Sequence, residues 1–187
     1  MKLFWFSIFY ISIFLIVIDE SRLCLWSTET EIIFVDESRL TAGGNDRQDD
    51  PRVDQVVQVI NQFFKGLKIK NQASKKYRQH ITDDFFIFEM GKKYSMDELV
   101  GLFQRDDRQW ISTDWKLSDF RVSLDENSAH ASYVNTGIFY FEQDGKKFRS
   151  DLQWLESVYL VKRGDQWKIK FLQSDDVSRN TEEVESD

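Results

Sequence analysis

Glu156 is the one carboxylate in an alternating apolar row, Leu152, Trp154, Glu156, Val158 and Leu160. Side chains two apart on a strand share a face. If this row faces a cavity, burial raises the carboxyl pKa and suits it to acid or base work. The alternate row, Leu155, Ser157, Tyr159 and Val161, competes for the inside. With that row inward, Glu156 lies on the outer face, at a dimer contact. Tyr133 and Asn135 share a row with Ala129 and Ala131, either as pocket-lining polar groups or as hydrogen-bonded core residues. Trp167, Ile169, Phe171 and Gln173 alternate on the last strand, which puts Phe171 and Gln173 on the pocket list. Tyr77 adds a hydroxyl from a helix. Phe63, Trp110 and Trp154 supply aromatic walls, in competition with plain core or interface roles.

Other chemistry is excluded or unsupported. Two His, His80 and His130, and one Cys, Cys24, leave no ligand set for a metal, and no cofactor is expected. His80 reads as a solvated cation ending a helix, and His130 faces outward with Ser132. Nothing resembles a nucleophile elbow. A net charge of -7 over 187 residues argues against nucleic acid as a partner.

The chain reads in four parts. Residues 1–18 hold an apolar run, 3–18, behind Lys2, and read as a signal or membrane anchor. As a helix the run spans about 24 Å, short of the roughly 30 Å hydrocarbon core. Asp19-Glu20-Ser21-Arg22-Leu23 recurs as Asp36-Glu37-Ser38-Arg39-Leu40, which reads as a duplicated juxtamembrane linker, as chance, or as translation of repeated DNA upstream of a true start. Residues 19–50 are an acidic linker. Residues 1–50 carry a net charge of -5, against -2 for 51–187. Residues 51–178 form the domain. Residues 179–187 read as a disordered acidic tail. The expected location is exported or membrane-anchored, with membrane contact only through 3–18. It is cytoplasmic if the first 40 residues precede the true start.

The elements that must position the candidate residues follow from periodicity. Asp50-Pro51 opens a helix, and Val53, Val56, Val57, Ile60, Phe63, Phe64 and Leu67 give it one apolar face. A second helix is expected over 71–80, and a strand over 85–90 turning at Gly91. Ser95-Met96-Asp97-Glu98 is a capping box that starts a third helix. After Trp110 the period changes to two. Four strands follow, with turns at 125–128, at Asp144-Gly145 and at Gly164-Asp165. The fold class is α+β, an antiparallel sheet with helices gathered on one face.

The pieces Asp83-Asp84-Phe85, Gly91, Met96-Asp97-Glu98-Leu99, Glu156 to Arg163, and Gln166-Trp167-Lys168-Ile169 ending in Gln173-Ser174 resemble the nuclear transport factor 2-like superfamily. Within it they resemble SnoaL-like domains, over about Pro51 to Ser178. The resemblance implies a cystatin-like cone: a curved antiparallel sheet on three helices, with an apolar pocket at the wide end. It also implies members that are isomerases, cyclases, dehydratases, non-catalytic binders and adaptors, so fold does not give function. Where the isomerase branch has its oxyanion-binding Tyr and its catalytic Asp, this chain reads Ile60 and Phe88. A one-residue slip would bring Glu89 to the second place. Where many SnoaL-like relatives have a His, this chain has Gln173, which can orient a ligand but not act as a base.

Three functions follow. One is a non-catalytic binder of a small apolar molecule, oriented by Tyr133, Asn135 and Gln173. Another is a cyclase, isomerase or hydratase using Glu156, Glu89 or Asp84. The third is an interaction module, a homodimer through its sheet face.

Overall fold

The computed structural model describes residues 50–105 and 107–185. The apolar run, the repeated pentapeptide and the linker up to residue 49 lie outside the described residues. Helix α1 spans Pro51–Leu67, and a single helical turn, α2, spans Ile69–Gln72. A 3-10 turn covers Lys76–His80. Strands β1 (Ile81–Glu89) and β2 (Lys92–Ser95) precede helix α3 (Met96–Arg105). Four long strands close the chain: β3 (Gln109–Leu124), β4 (Ser128–Gln143), β5 (Lys146–Arg163) and β6 (Gln166–Val184).

The helix starts obey their local chemistry. Asp50 Oδ1 accepts the Arg52 amide at 2.9 Å, which caps α1. At α3 the capping box is complete: the Ser95 amide donates to Glu98 Oε2 at 2.8 Å, and the Glu98 amide donates to Ser95 Oγ at 3.3 Å. The helix expected over 71–80 is broken. Ser74 Oγ donates to the Asn71 carbonyl at 2.7 Å, and Lys75 is left-handed at φ 53°. A short hydroxyl side chain that satisfies a nearby carbonyl offers the backbone an alternative to helix.

All six strands form one sheet in the order β2-β1-β6-β5-β4-β3. Neighbours are antiparallel except β1 and β6, which run parallel. Alternation in the sequence reveals which strands exist but not which edge a returning strand joins. The β1–β2 and β4–β5 hairpins close through Met90-Gly91 and Asp144-Gly145, each with both φ values positive, the geometry that matches the twist of the flanking strands. Extra residues interrupt the ladders at several places, including Ser118/Arg121 on β3 and Tyr159/Leu160 opposite β6. Such bulges bend a strand and increase its twist, and here they accompany the sheet's curl around α1.

The expected tail is instead strand over most of its length. β6 runs through Arg179 and Asn180 to Val184, paired with β5 back to Lys147. Ser150 Oγ and Thr181 Oγ1 lie 2.7 Å apart, and Lys146 bonds Glu183 at 2.7 Å. The β5 arm leaves a row of backbone groups that these residues satisfy. Their side chains stay in water, so a polar composition fits a strand here as well as a loose end.

Val56, Ile60 and Phe63 of α1 pack on the inner sheet face, against Ala131, Val158, Leu160, Ile169 and Leu172. Ala129 and Ala131 let the helix lie close at this narrow end. At the other end the inner face carries Trp154, Phe139 and Leu152, and the layers part. Among the described residues no helix is long and apolar enough to cross a membrane.

Candidate functional site

A cavity of about 210 Å³ opens where the layers part. Phe63, Phe64 and Leu67 of α1 form one wall, and Leu99, Leu102 and Phe103 of α3 another. The sheet contributes Trp110 and Trp115 from β3, Asn135 and Phe139 from β4, and Leu152, Trp154 and Glu156 from β5. Glu89 of β1 and Leu172, Ser174 and Arg179 of β6 complete that side, and Arg108 lies at the start of β3.

Parity on β5 is resolved in favour of the Leu152 row. Leu155 is 53% exposed, whereas Glu156 is only 6% exposed and lines the cavity. Asn135 Nδ2 donates to Glu156 Oε1 at 3.0 Å. Burial raises the Glu156 carboxyl to about 7, and the nearby Glu89 carboxyl adds to the rise. Tyr133, Asn135 and Ser174 oppose it. Tyr133 lies behind the wall rather than in it, with its ring edge-on to Phe64 and tilted on Phe120. Its hydroxyl stands near enough to Glu156 to bias ionisation, yet neither Tyr133 Oη nor Glu156 Oε2 has a hydrogen-bond partner among the described residues. Burial, then the Glu156 charge, pushes the phenol well above its ordinary value, so it stays a donor.

Glu89 lines the same cavity. Burial raises its pKa, against the opposing effects of Ser174 and Arg179. Phe88 points to the other side and is 43% exposed. The neighbouring residue considered as a one-residue slip is therefore the one that faces inward. Asp84 is not part of the site. It is exposed, Lys170 Nζ donates to its Oδ2 at 2.8 Å, and its pKa falls to about 2 through that bond first.

Three further expectations are corrected. Tyr77 is core, 2% exposed at the narrow end, and does not reach the cavity. Phe171 and Gln173 face the other side. Tyr159 pairs with Phe171 but Leu160 pairs with Ile169, so Lys170 is an extra residue in β6. One inserted residue reverses the side chains that follow it, until a second extra residue, Val177, restores the first parity and sets Arg179 opposite Leu152. Leu172 and Ser174 turn inward, Gln173 is exposed, and the Phe171 ring packs on Phe86 and Phe88 outside. The adjacent apolar pair Phe171-Leu172, inside an alternating strand, is the sequence signal of this shift. Ser174, Arg179, Arg108, Trp115 and Phe139 were not anticipated. Phe63, Trp110, Asn135 and Trp154 line the cavity.

His80 is not a favoured cation either. Burial, then Lys168, lowers its pKa. His130 is exposed, with Nε2 2.7 Å from Ser157 Oγ. Among the described residues no three His, Cys, Asp or Glu side chains gather as metal ligands do.

No protein-family model and no curated protein matches the sequence. Solved structures do match in shape. A Kribbella flavida protein, Kfla4162, superposes with a TM-score of 0.58 at 12% identity, covering 72% of this chain and 95% of that one. A type 2 hexachlorocyclohexane dehydrochlorinase superposes with 0.57 at 10% identity, covering 73% and 90%. The fold is the nuclear transport factor 2-like cone. The association domain of C. elegans CaMKII shares it, with a TM-score of 0.52 at 16% identity and coverage of 68% and 98%. The cone thus serves an enzyme and an association domain alike, and the cavity residues must carry any argument about function.

Proposed function

We propose that the cavity of this nuclear transport factor 2-like domain binds a small, largely apolar molecule and exchanges a proton with it through Glu156 and Glu89. The supporting observation is the environment of Glu156. It is a buried carboxyl with a value of about 7, an oxygen without a partner among the described residues, and aromatic walls around it. Such a group is half charged near neutral pH, where both proton donation and acceptance are available to it. Glu89 supplies a second carboxyl on the adjoining wall. The reactions that need only these parts are isomerisation, dehydration and cyclisation. A passive apolar binder has no use for two carboxyls in its cavity, and their burial is costly.

A second reading concerns the outer face. Phe86, Phe88 and Phe171 form a ring cluster with centroids 4.9 to 5.5 Å apart, and Phe88, Tyr159 and Leu155 are exposed on the same side of the sheet. This patch favours self-association through the sheet face, beside the cavity function rather than in place of it.

Native mass spectrometry of the full chain tests both readings. A retained small molecule, lost on denaturation and lost in a Glu156→Gln variant, supports the cavity reading. A retained molecule indifferent to that substitution overturns the role of Glu156. Dimer or higher mass supports the outer-face reading, and a strict monomer removes it.

A further inference from the structure

A row of four polar side chains crosses the inner face of the sheet beside the cavity. Tyr133 on β4 pairs with Glu156 on β5, and Glu156 pairs with Ser174 on β6. On the other flank of β6, Gln173 pairs with Phe88 of β1. The next residue of each strand, Ser174 and Glu89, therefore stand side by side and face inward. Neighbouring strands lie about 4.8 Å apart, so Ser174 is set between the two carboxyls within reach of each. Its hydroxyl biases the ionisation of both.

The two carboxyls differ in access. Glu156 is 6% exposed; its Oε1 takes the Asn135 amide, and its Oε2 is buried without a partner among the described residues. Glu89 is half-buried on the cavity wall. A ligand can reach Glu89, whereas a proton reaches Glu156 Oε2 through a neighbour. Two hydroxyls adjoin Glu156, and they are not equivalent. Tyr133 Oη is itself buried, and β5 and β6 separate it from Glu89. Ser174 lines the cavity next to both carboxyls. The other charges facing Glu89 are Asp175, Asp176 and Arg179 of β6. Arg108 of β3 also lines the cavity, and the lining side chains of α1 and α3 are apolar.

We propose that Ser174 is a positioning residue that relays protons between Glu89 and Glu156. This rests on the cavity reading above and divides the labour within it. Glu89 takes a proton from the ligand or gives one to it. The Glu89 acid donates to Ser174 Oγ as the Ser174 O–H proton passes to Glu156. One O–H bond forms and one breaks at the serine, which ends neutral, and the net change is one proton moved between two carboxyls. Run backward, the relay reloads Glu89. A hydroxyl that donates to a carboxylate and accepts from the neighbouring acid favours the state holding one proton over those holding two or none. It therefore spreads the two titration steps apart.

The test is carbon-13 NMR of the side-chain carboxyls in the full chain, labelled at glutamate and titrated from pH 4 to pH 9. E156Q and E89Q assign the two signals. The natural chain should show two midpoints at least about 1 pH unit apart, the upper well above the ordinary 4.5. Ser174→Ala should draw them together, lowering the upper and raising the lower. Ser174→Thr keeps the hydroxyl and should restore the spacing. A serine that only donates favours both anions, so its loss would raise both midpoints, and that result overturns the relay. Unchanged spacing in Ser174→Ala, or the same change in Ala and Thr variants, also overturns it. E89Q probes the coupling with Ser174 in place: the Glu156 midpoint should fall, and an unmoved one overturns the relay. In all these cases a raised midpoint remains and the cavity reading stands. The absence of any raised midpoint overturns both.

Discussion

Asn135 Nδ2 donates to Glu156 Oε1 at 3.0 Å, although the two residues are not cross-strand partners. In the ladder Asn135 faces Trp154, and Glu156 faces Tyr133. The contact is therefore a diagonal on the inner face, between strands adjacent in sequence. It fixes one oxygen of the carboxyl and leaves the other, Oε2, buried without a hydrogen-bond partner among the described residues.

The carboxyl should make stability fall with rising pH. Its value of about 7 in the folded chain lies above the ordinary 4.5, so between these values the folded state binds more protons than the unfolded one. Stability is then full below about pH 4.5 and declines as pH rises through 7, by about 3 kcal/mol in all. Glu89, raised for the same reason, adds to the slope. Urea unfolding at pH 5 and pH 8 should show this loss in the natural chain and a much smaller one in Glu156→Gln. An equal loss in both would place the titration elsewhere.

The extra residue at Lys170 makes neighbouring substitutions unequal. Leu172→Ala removes a side chain that is 1% exposed and should cost about 2–5 kcal/mol. Gln173→Ala alters an exposed side chain and should stay within about 0.5 kcal/mol. Unfolding midpoints of the two variants decide. The reverse ranking would mean that the alternation of Trp167 and Ile169 continues unbroken.

Gly137 lies on the inner face, where an added Cβ would come within 2.8 Å of Trp154 Cζ3. The indole must move for Ala to fit, and it is part of the cavity wall. Gly137→Ala should cost about 1–3 kcal/mol and change the near-ultraviolet circular dichroism of the Trp residues. A silent substitution by both measures would show that the ring has room to yield.

Much of this protein is legible without coordinates. The face of α1, the capping box before α3 and the hairpin at Asp144-Gly145 are local matters. They depend on side-chain period, on backbone groups within a few residues, and on φ preferences that a dipeptide already expresses. The aromatic walls at Phe63, Trp110 and Trp154 and the polar pair Asn135 and Glu156 follow from that period once the inward row is known.

Only the tertiary structure decided the rest. The parallel pairing of β1 with β6 depends on which edge is unpaired when the chain returns. Strand formation over Thr181 to Val184 depends on a partner arm that begins at Lys146. The bulge at Lys170 exchanges Gln173 for Ser174, because one inserted residue reverses a two-residue period as far as the next bulge, at Val177. Glu89 becomes a cavity carboxyl because β1 is set beside β6 in that register, and its charge then reaches Glu156. Parity is a property of one strand. Register, burial and the field between two carboxyls belong to the assembled sheet.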